Sequence, residues 1–152
     1  MDKNLKNCIA DSILSKIIIE IHELKHNTRS MLIVTHSFIE VLINKLVEQK
    51  FKHGKEISDD RNFSHYMKLI LLHEIGIFTD KEYDCLNRIR KCRNSAVHNP
   101  NYIFTVNDLN GININGKPVT NLHLFCVSII TFIFNKEPRL FAKFAGLDVE
   151  DM

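Results

Sequence analysis

The chain has 152 residues, 45% of them apolar and 25% charged, the composition of one ordinary globular domain with length enough for a sizeable core. Its formal net charge is +2, too small by itself to mark a dedicated nucleic-acid binder. The charged start, Met1 to Asn7, has no small-residue cleavage site after it, and the apolar run Leu122 to Phe134 is well short of the ~20 residues of a membrane span; the sequence reads as cytoplasmic, with no membrane partner.

In chain order, apolar residues at Leu5, Ile9, Ile13, Ile17, Ile21 and Leu24 predict a first helix from about Asn4 to His26. A second runs from about Thr28 to Phe51, and its apolar residues cover so much of the circumference that it belongs at the centre of a bundle. Gly54 and the polar run Ser58 to Asn62 read as a loop. A third helix follows from about Phe63 to Glu74 and stops at Gly76. Thr79 and Glu82 have capping-box spacing and open a fourth helix, which ends near His98 because Pro100 pushes Asn99 out of helical geometry. Tyr102 to Val106 has strand composition, and two Asn-Gly dipeptides follow. A small hairpin within about 102–120 is expected, with its turn at Asn115-Gly116 in preference to Asn110-Gly111 and with Pro118 on an edge strand. A fifth helix spans about Asn121 to Asn135, and Pro138 suits the first turn of a short last one. The acidic tail from Leu147 to Met152 is expected to fray. The four cysteines, Cys8, Cys85, Cys92 and Cys126, lack metal-knuckle or redox spacing and read as small buried hydrophobes.

The residues that carry chemistry stand together from Arg88 to His98. Arg93 and Asn94 are followed, after three residues, by His98. Arginine brings a permanent charge and a donor fork that fits phosphate; histidine is the acid or base available near neutral pH. This Arg-Asn-x-x-x-His pattern resembles the signature of HEPN domains, helical nucleotide-binding and RNA-cleaving modules. The likeness extends over about Arg29 to Asn99: Arg29 to Val34 with Glu40, and Phe63-Ser64, Lys68-Leu69 and Leu72 to Ile77 leading to Glu82-Tyr83 and Ile89-Arg90, resemble the mannitol operon repressor family, an offshoot of that fold.

The resemblance implies a single all-α domain over residues 1–152, a HEPN-like antiparallel helical bundle with the hairpin inserted before the last long helix. It also implies a homodimer with an Arg/His site shared across the interface. In HEPN toxins paired with a nucleotidyltransferase antitoxin a tyrosine commonly lies two residues after the histidine; here that position is Pro100, which argues against that pairing.

On an ideal helix Cys85, Ile89, Cys92 and Ala96 form one apolar stripe, flanked by Leu86 and Arg93. Arg93 therefore falls where a core residue is expected and needs a partner: a carboxylate such as Glu40, or a phosphate in a cleft. His98 points ~140° away from Arg93, so a shared site requires a distorted last turn or a second chain. The plainer role for His98 is a helix-end residue facing the dipole.

In the catalytic reading, His98 is the general acid or base for attack by a ribose 2′-hydroxyl, Arg93 stabilises the phosphate, and Asn94 bonds the substrate or His98. Arg88, Arg90 and Lys91 are candidate RNA-backbone contacts, or else a solvated face. No metal or cofactor is implied; His22 and His26 stand one turn apart, with His36 further on, but lack a convincing third ligand, and His53, His65, His73 and His123 read as ordinary helix or loop residues. The leading expectation is a metal-independent endoribonuclease, a toxin or phage-defence component with RNA and an antitoxin as partners. The alternative is a repressor-like transcriptional regulator or adaptor that works through protein contacts.

Overall fold

Capping side chains open four of the helices. A computed structural model describes residues 13–114 and 116–144. Within them lie helices α1 (Ile13–Glu23), α2 (Thr28–Lys50), α3 (Gly54–Asp59), α4 (His65–Glu74), α5 (Asp80–His98), α6 (Leu122–Lys136) and α7 (Pro138–Phe144), and strands β1 (Asn113–Ile114) and β2 (Lys117–Pro118). Side-chain oxygens of Asn27, Ser64 and Asn121 accept from backbone N–H groups in the first turns of α2, α4 and α6, meeting donors that a helix start leaves free. The Thr79–Glu82 capping box is closed in both directions. α4 ends in a Schellman turn: the N–H of Gly76 bonds to the His73 carbonyl and that of Ile77 to the Leu72 carbonyl, with Gly76 at φ 77°, a conformation that favours glycine.

The described residues are mostly helical with one small hairpin, as the patterning indicates. α2 is the central helix, packed against α1, α3, α4, α5 and α6. Leu32, Ile39, Ile43 and Leu46 of α2 are fully buried with Leu86 and Ile89 of α5 and Phe125 and Ile129 of α6. α2 is long and apolar enough to cross a membrane by length and composition, yet half of that stretch is buried inside the bundle, as a core helix requires. The stripe expected on α5 is buried as predicted, and Cys85, Cys92 and Cys126 are free, buried thiols. Burial pushes the Cys85 thiol up to about 11 and that of Cys126 to about 12. Cys8, the expected helical start from Asn4 to Ser12, and the tail from Leu147 all lie outside the described residues.

Three expectations are corrected. The first helix ends at Glu23, and residues 24–26 form a turn. The segment read as a loop after Gly54 is the helix α3. Gly54 is buried against the end of α2: an added Cβ would lie 2.2 Å from the Val47 carbonyl oxygen and 2.6 Å from Glu48 Cα. Only glycine lets the chain turn back this tightly, and the Ser58 hydroxyl then donates to Glu48 at 3.0 Å. Tyr102 to Val106 does not form a strand. Thr105 instead caps a 3-10 turn at Val106–Leu109, its N–H donating to Asp108 at 2.7 Å. The hairpin is confined to Asn113 opposite Pro118 and Ile114 opposite Lys117. Gly116 lies in its turn at φ 75°, in keeping with the expected Asn-Gly pair; Asn115 lies outside the described residues.

Candidate functional site

The motif helix α5 is fixed at both ends by other parts of the chain. At its start Glu82 closes the capping box and accepts from Lys136 at the end of α6, at 2.6 Å. At its finish the guanidinium of Arg29, in the first turn of α2, donates to the carbonyls of Ala96, Asn99 (3.3 Å), Pro100 (3.1 Å) and Tyr102 (3.2 Å). A cation there meets the unpaired carbonyls and the negative end of the helix dipole. The last turn is regular: the N–H of Asn99 bonds to the Ser95 carbonyl at 3.0 Å. α5 is thus not distorted before Pro100, and that route to bringing Arg93 and His98 together is removed.

The two residues accordingly stand apart. His98 is exposed, and its side chain makes no hydrogen bond, ion pair or ring contact among the described residues. Asn94 does not bond it; its Oδ1 accepts from Arg93 Nη1 at 3.1 Å. Arg93 is half-buried, and no carboxylate among the described residues forms an ion pair with it. Glu40, the carboxylate offered as one of its two possible partners, forms no ion pair with it: Glu40 Oε2 stands 3.9 Å from His36 Nδ1 instead.

What gathers around Arg93 is a group the sequence did not suggest. His36 of α2 is 2% exposed. Its ring meets that of His65, at the start of α4, edge to face at 4.7 Å between centroids. Burial, with the positive charges of Arg93 and Arg90, draws His36 down to about 4. Burial is again the first cause for His65, followed by His36, Arg90, Lys68 and Arg93, and brings it to about 3. Both rings are neutral near neutral pH. Lys68, one turn along α4, is 7% exposed and donates to Asn44 at 2.9 Å and to the Ser58 carbonyl at 2.8 Å. No spacing within α2 or α4 marks these residues.

The basic residues of the motif divide. Arg88 spends its fork inside the chain, on the carbonyls of Asp108 (3.0 Å) and Asn110 (3.3 Å) that lead into the hairpin. Arg90 donates to Asn87 at 2.9 and 3.1 Å and lies 4.5 Å above the Tyr66 ring, a cation–π contact. Lys91 is exposed.

No family model, curated protein or solved structure matches this chain. The resemblance to HEPN domains therefore rests on the sequence alone, on Arg93, Asn94 and His98 and the stretch that leads to them.

Elsewhere on the surface, a cleft of about 400 Å³ opens between the α1–α2 turn and the start of α6, lined by Lys25, His26, Phe104, Asn121 and His123 among others. His22 sits beside it with its ring 5.1 Å from that of His123. No group of three histidine, cysteine, aspartate or glutamate side chains among the described residues is arranged to hold a metal ion.

Proposed function

We propose that the chain is a HEPN-type endoribonuclease that cleaves RNA without a metal, acting as a cytoplasmic toxin or phage-defence component. One observation carries this reading: Arg93 sits half-buried beside Asn94, with no carboxylate partner among the described residues, on the helix whose last residue is the exposed His98. A structural arginine in a bundle core is ordinarily compensated by an acid. An arginine left uncompensated keeps its charge for a ligand, and its fork suits phosphate.

His98 lies on the far side of a regular helix end, so the reading requires that a second copy bring its His98 to the Arg93 of the first. In that arrangement His98 takes the proton of the ribose 2′-hydroxyl, or returns one to the leaving oxygen. Arg93 stabilises the charge that builds on the phosphate. Val97, next to His98, and Ile103 beyond it are 41% and 80% exposed, which suits a partner surface. The same two residues favour, as a second reading, an adaptor or repressor-like regulator that works by protein contact.

The test is incubation of purified protein with a tRNA and messenger RNA mixture in excess chelator, beside His98→Ala and Arg93→Ala. The ribonuclease reading expects cleavage by the wild type that both variants lose, and a dimer by sedimentation. Intact RNA from a folded dimer moves the protein to the regulator reading.

A further inference from the structure

Between α2, α4 and α5, four side-chain nitrogens are buried with no hydrogen-bond partner: Nδ1 and Nε2 of His36, Nε2 of His65 and Nε of Arg93. The His36 side chain is 3% exposed, and Glu40 at 3.9 Å is beyond hydrogen-bond reach of its Nδ1. Native folds leave few buried polar groups unpaired, because each forfeits its hydration without replacement. Here they come from three side chains of one neighbourhood, and its charges are mainly positive. Arg90 and Arg93 face the imidazoles from α5, Lys68 from α4, and Glu40 is the acid on α2. The guanidinium and one nitrogen of each neutral imidazole are donors, and the other imidazole nitrogen keeps a lone pair that only protonation turns into a donor; the neighbourhood offers these donors too few acceptors and too little negative charge. A group with several acceptor oxygens and a negative charge answers both deficits at once.

We propose that His36, His65 and Arg93 form a binding site for a phosphate oxyanion, and that its source is the RNA backbone. The second half rests on the ribonuclease reading above; the first does not. An anion among these residues reverses the electrostatics of the free site. Burial and two guanidinium groups now oppose a charged imidazole; a bound phosphate favours one. Binding is therefore accompanied by proton uptake at the histidines and strengthens as pH falls.

The experiment is a pH titration of the imidazole resonances of isotopically labelled protein with and without inorganic phosphate, for the wild type, Arg93→Gln and His98→Ala. The expected result is that phosphate moves the imidazoles of His36 and His65 in the wild type, assigned by their loss in His36→Gln and His65→Gln. It raises their midpoints by about one unit, which corresponds to tenfold tighter binding to the protonated form. His98→Ala keeps the response and Arg93→Gln loses it. Should Arg93→Gln fail to fold, Arg93→Lys keeps the charge without the fork and is expected to weaken the response. Imidazoles that phosphate does not move, or moves equally in the Arg93 variant, overturn the site. Phosphate binding by a protein that leaves RNA intact keeps the site and removes the ribonuclease. RNA cleavage that needs His98 while these two imidazoles stay still does the reverse. A ribonucleotide oligomer that shifts the same resonances supports the RNA backbone as source; one that leaves them unmoved while phosphate shifts them assigns the site to a free anion.

Discussion

The guanidinium of Arg29 donates to the carbonyl oxygen of Ala96, joining the first turn of α2 to the last turn of α5. The same group reaches the carbonyls of Asn99, Pro100 and Tyr102, so one side chain orders the chain on both sides of Pro100. Arg29→Ala is expected to cost about 1–3 kcal/mol, since it removes charge-assisted bonds, some of them to partly buried carbonyls. Arg29→Lys recovers only part, as a point charge cannot serve four carbonyls in a fork. Urea unfolding of the three proteins checks this; an Arg29→Ala midpoint equal to the wild type sinks it.

Stability is expected to fall in acid through His36, which is buried, and His65, which is half-buried. Their folded values, about 4 for His36 and about 3 for His65, lie below the ordinary 6.5. As pH drops below 6.5 the unfolded chain takes up protons that the folded one refuses. Their contribution is complete above pH 6.5 and is lost progressively down to those folded values, at up to ~1.4 kcal/mol per pH unit for each histidine. Denaturation at neutral and mildly acidic pH measures the slope. His36→Gln is expected to flatten it by one histidine's share; an unchanged slope in that variant contradicts the assignment.

The bundle was legible in the sequence because its signals are local. The apolar period along α5, the capping box at Thr79 and the turn at Gly116 each depend on residues within a few positions of one another. α3 was missed because what makes it possible is a long-range fact, the contact of Gly54 with the backbone of Val47 and Glu48. Tyr102 to Val106 has strand composition but no neighbouring strand to pair with among the described residues, and Arg29 takes one of its carbonyls. At the site, the sequence marked Arg93, Asn94 and His98 as a motif and their angular separation on a helix. It did not reveal His36 and His65, since their meeting depends on how α4 crosses α2.

Gly54→Ala and Gly76→Ala are expected to differ in kind. At Gly54 the new methyl meets backbone oxygen at 2.2 Å, so α3 must move off α2; a loss of about 1–3 kcal/mol is expected from such overpacking. At Gly76 there is open space but φ is +77°, and the cost is the roughly 1–2 kcal/mol of a left-handed alanine. Hydrogen exchange separates the two: Gly54→Ala exposes the amides of α3, whereas Gly76→Ala loosens the end of α4.

The basic residues of α5 are expected to separate by assay. Arg88→Ala removes the bonds to Asp108 and Asn110 and lowers thermal stability, with little effect on RNA affinity. Lys91→Ala, at an exposed position, leaves stability within about 0.5 kcal/mol and, if the chain binds RNA, reduces the salt dependence of binding by about one phosphate contact. Melting curves with a salt series of RNA binding decide it; a Lys91 variant that melts early and an Arg88 variant that does not would reverse the two roles.

The hairpin has two rungs, too few to hold by themselves. Its hold on the bundle lies at the base, where Ile112 is buried and Arg88 grips the preceding turn. The far end, at Gly116, is exposed. That makes Gly116 the internal position at which the chain can carry a foreign peptide, such as a fluorophore-binding tag or a protease site, so that the bundle can be watched or pulled without touching either end of the motif helix.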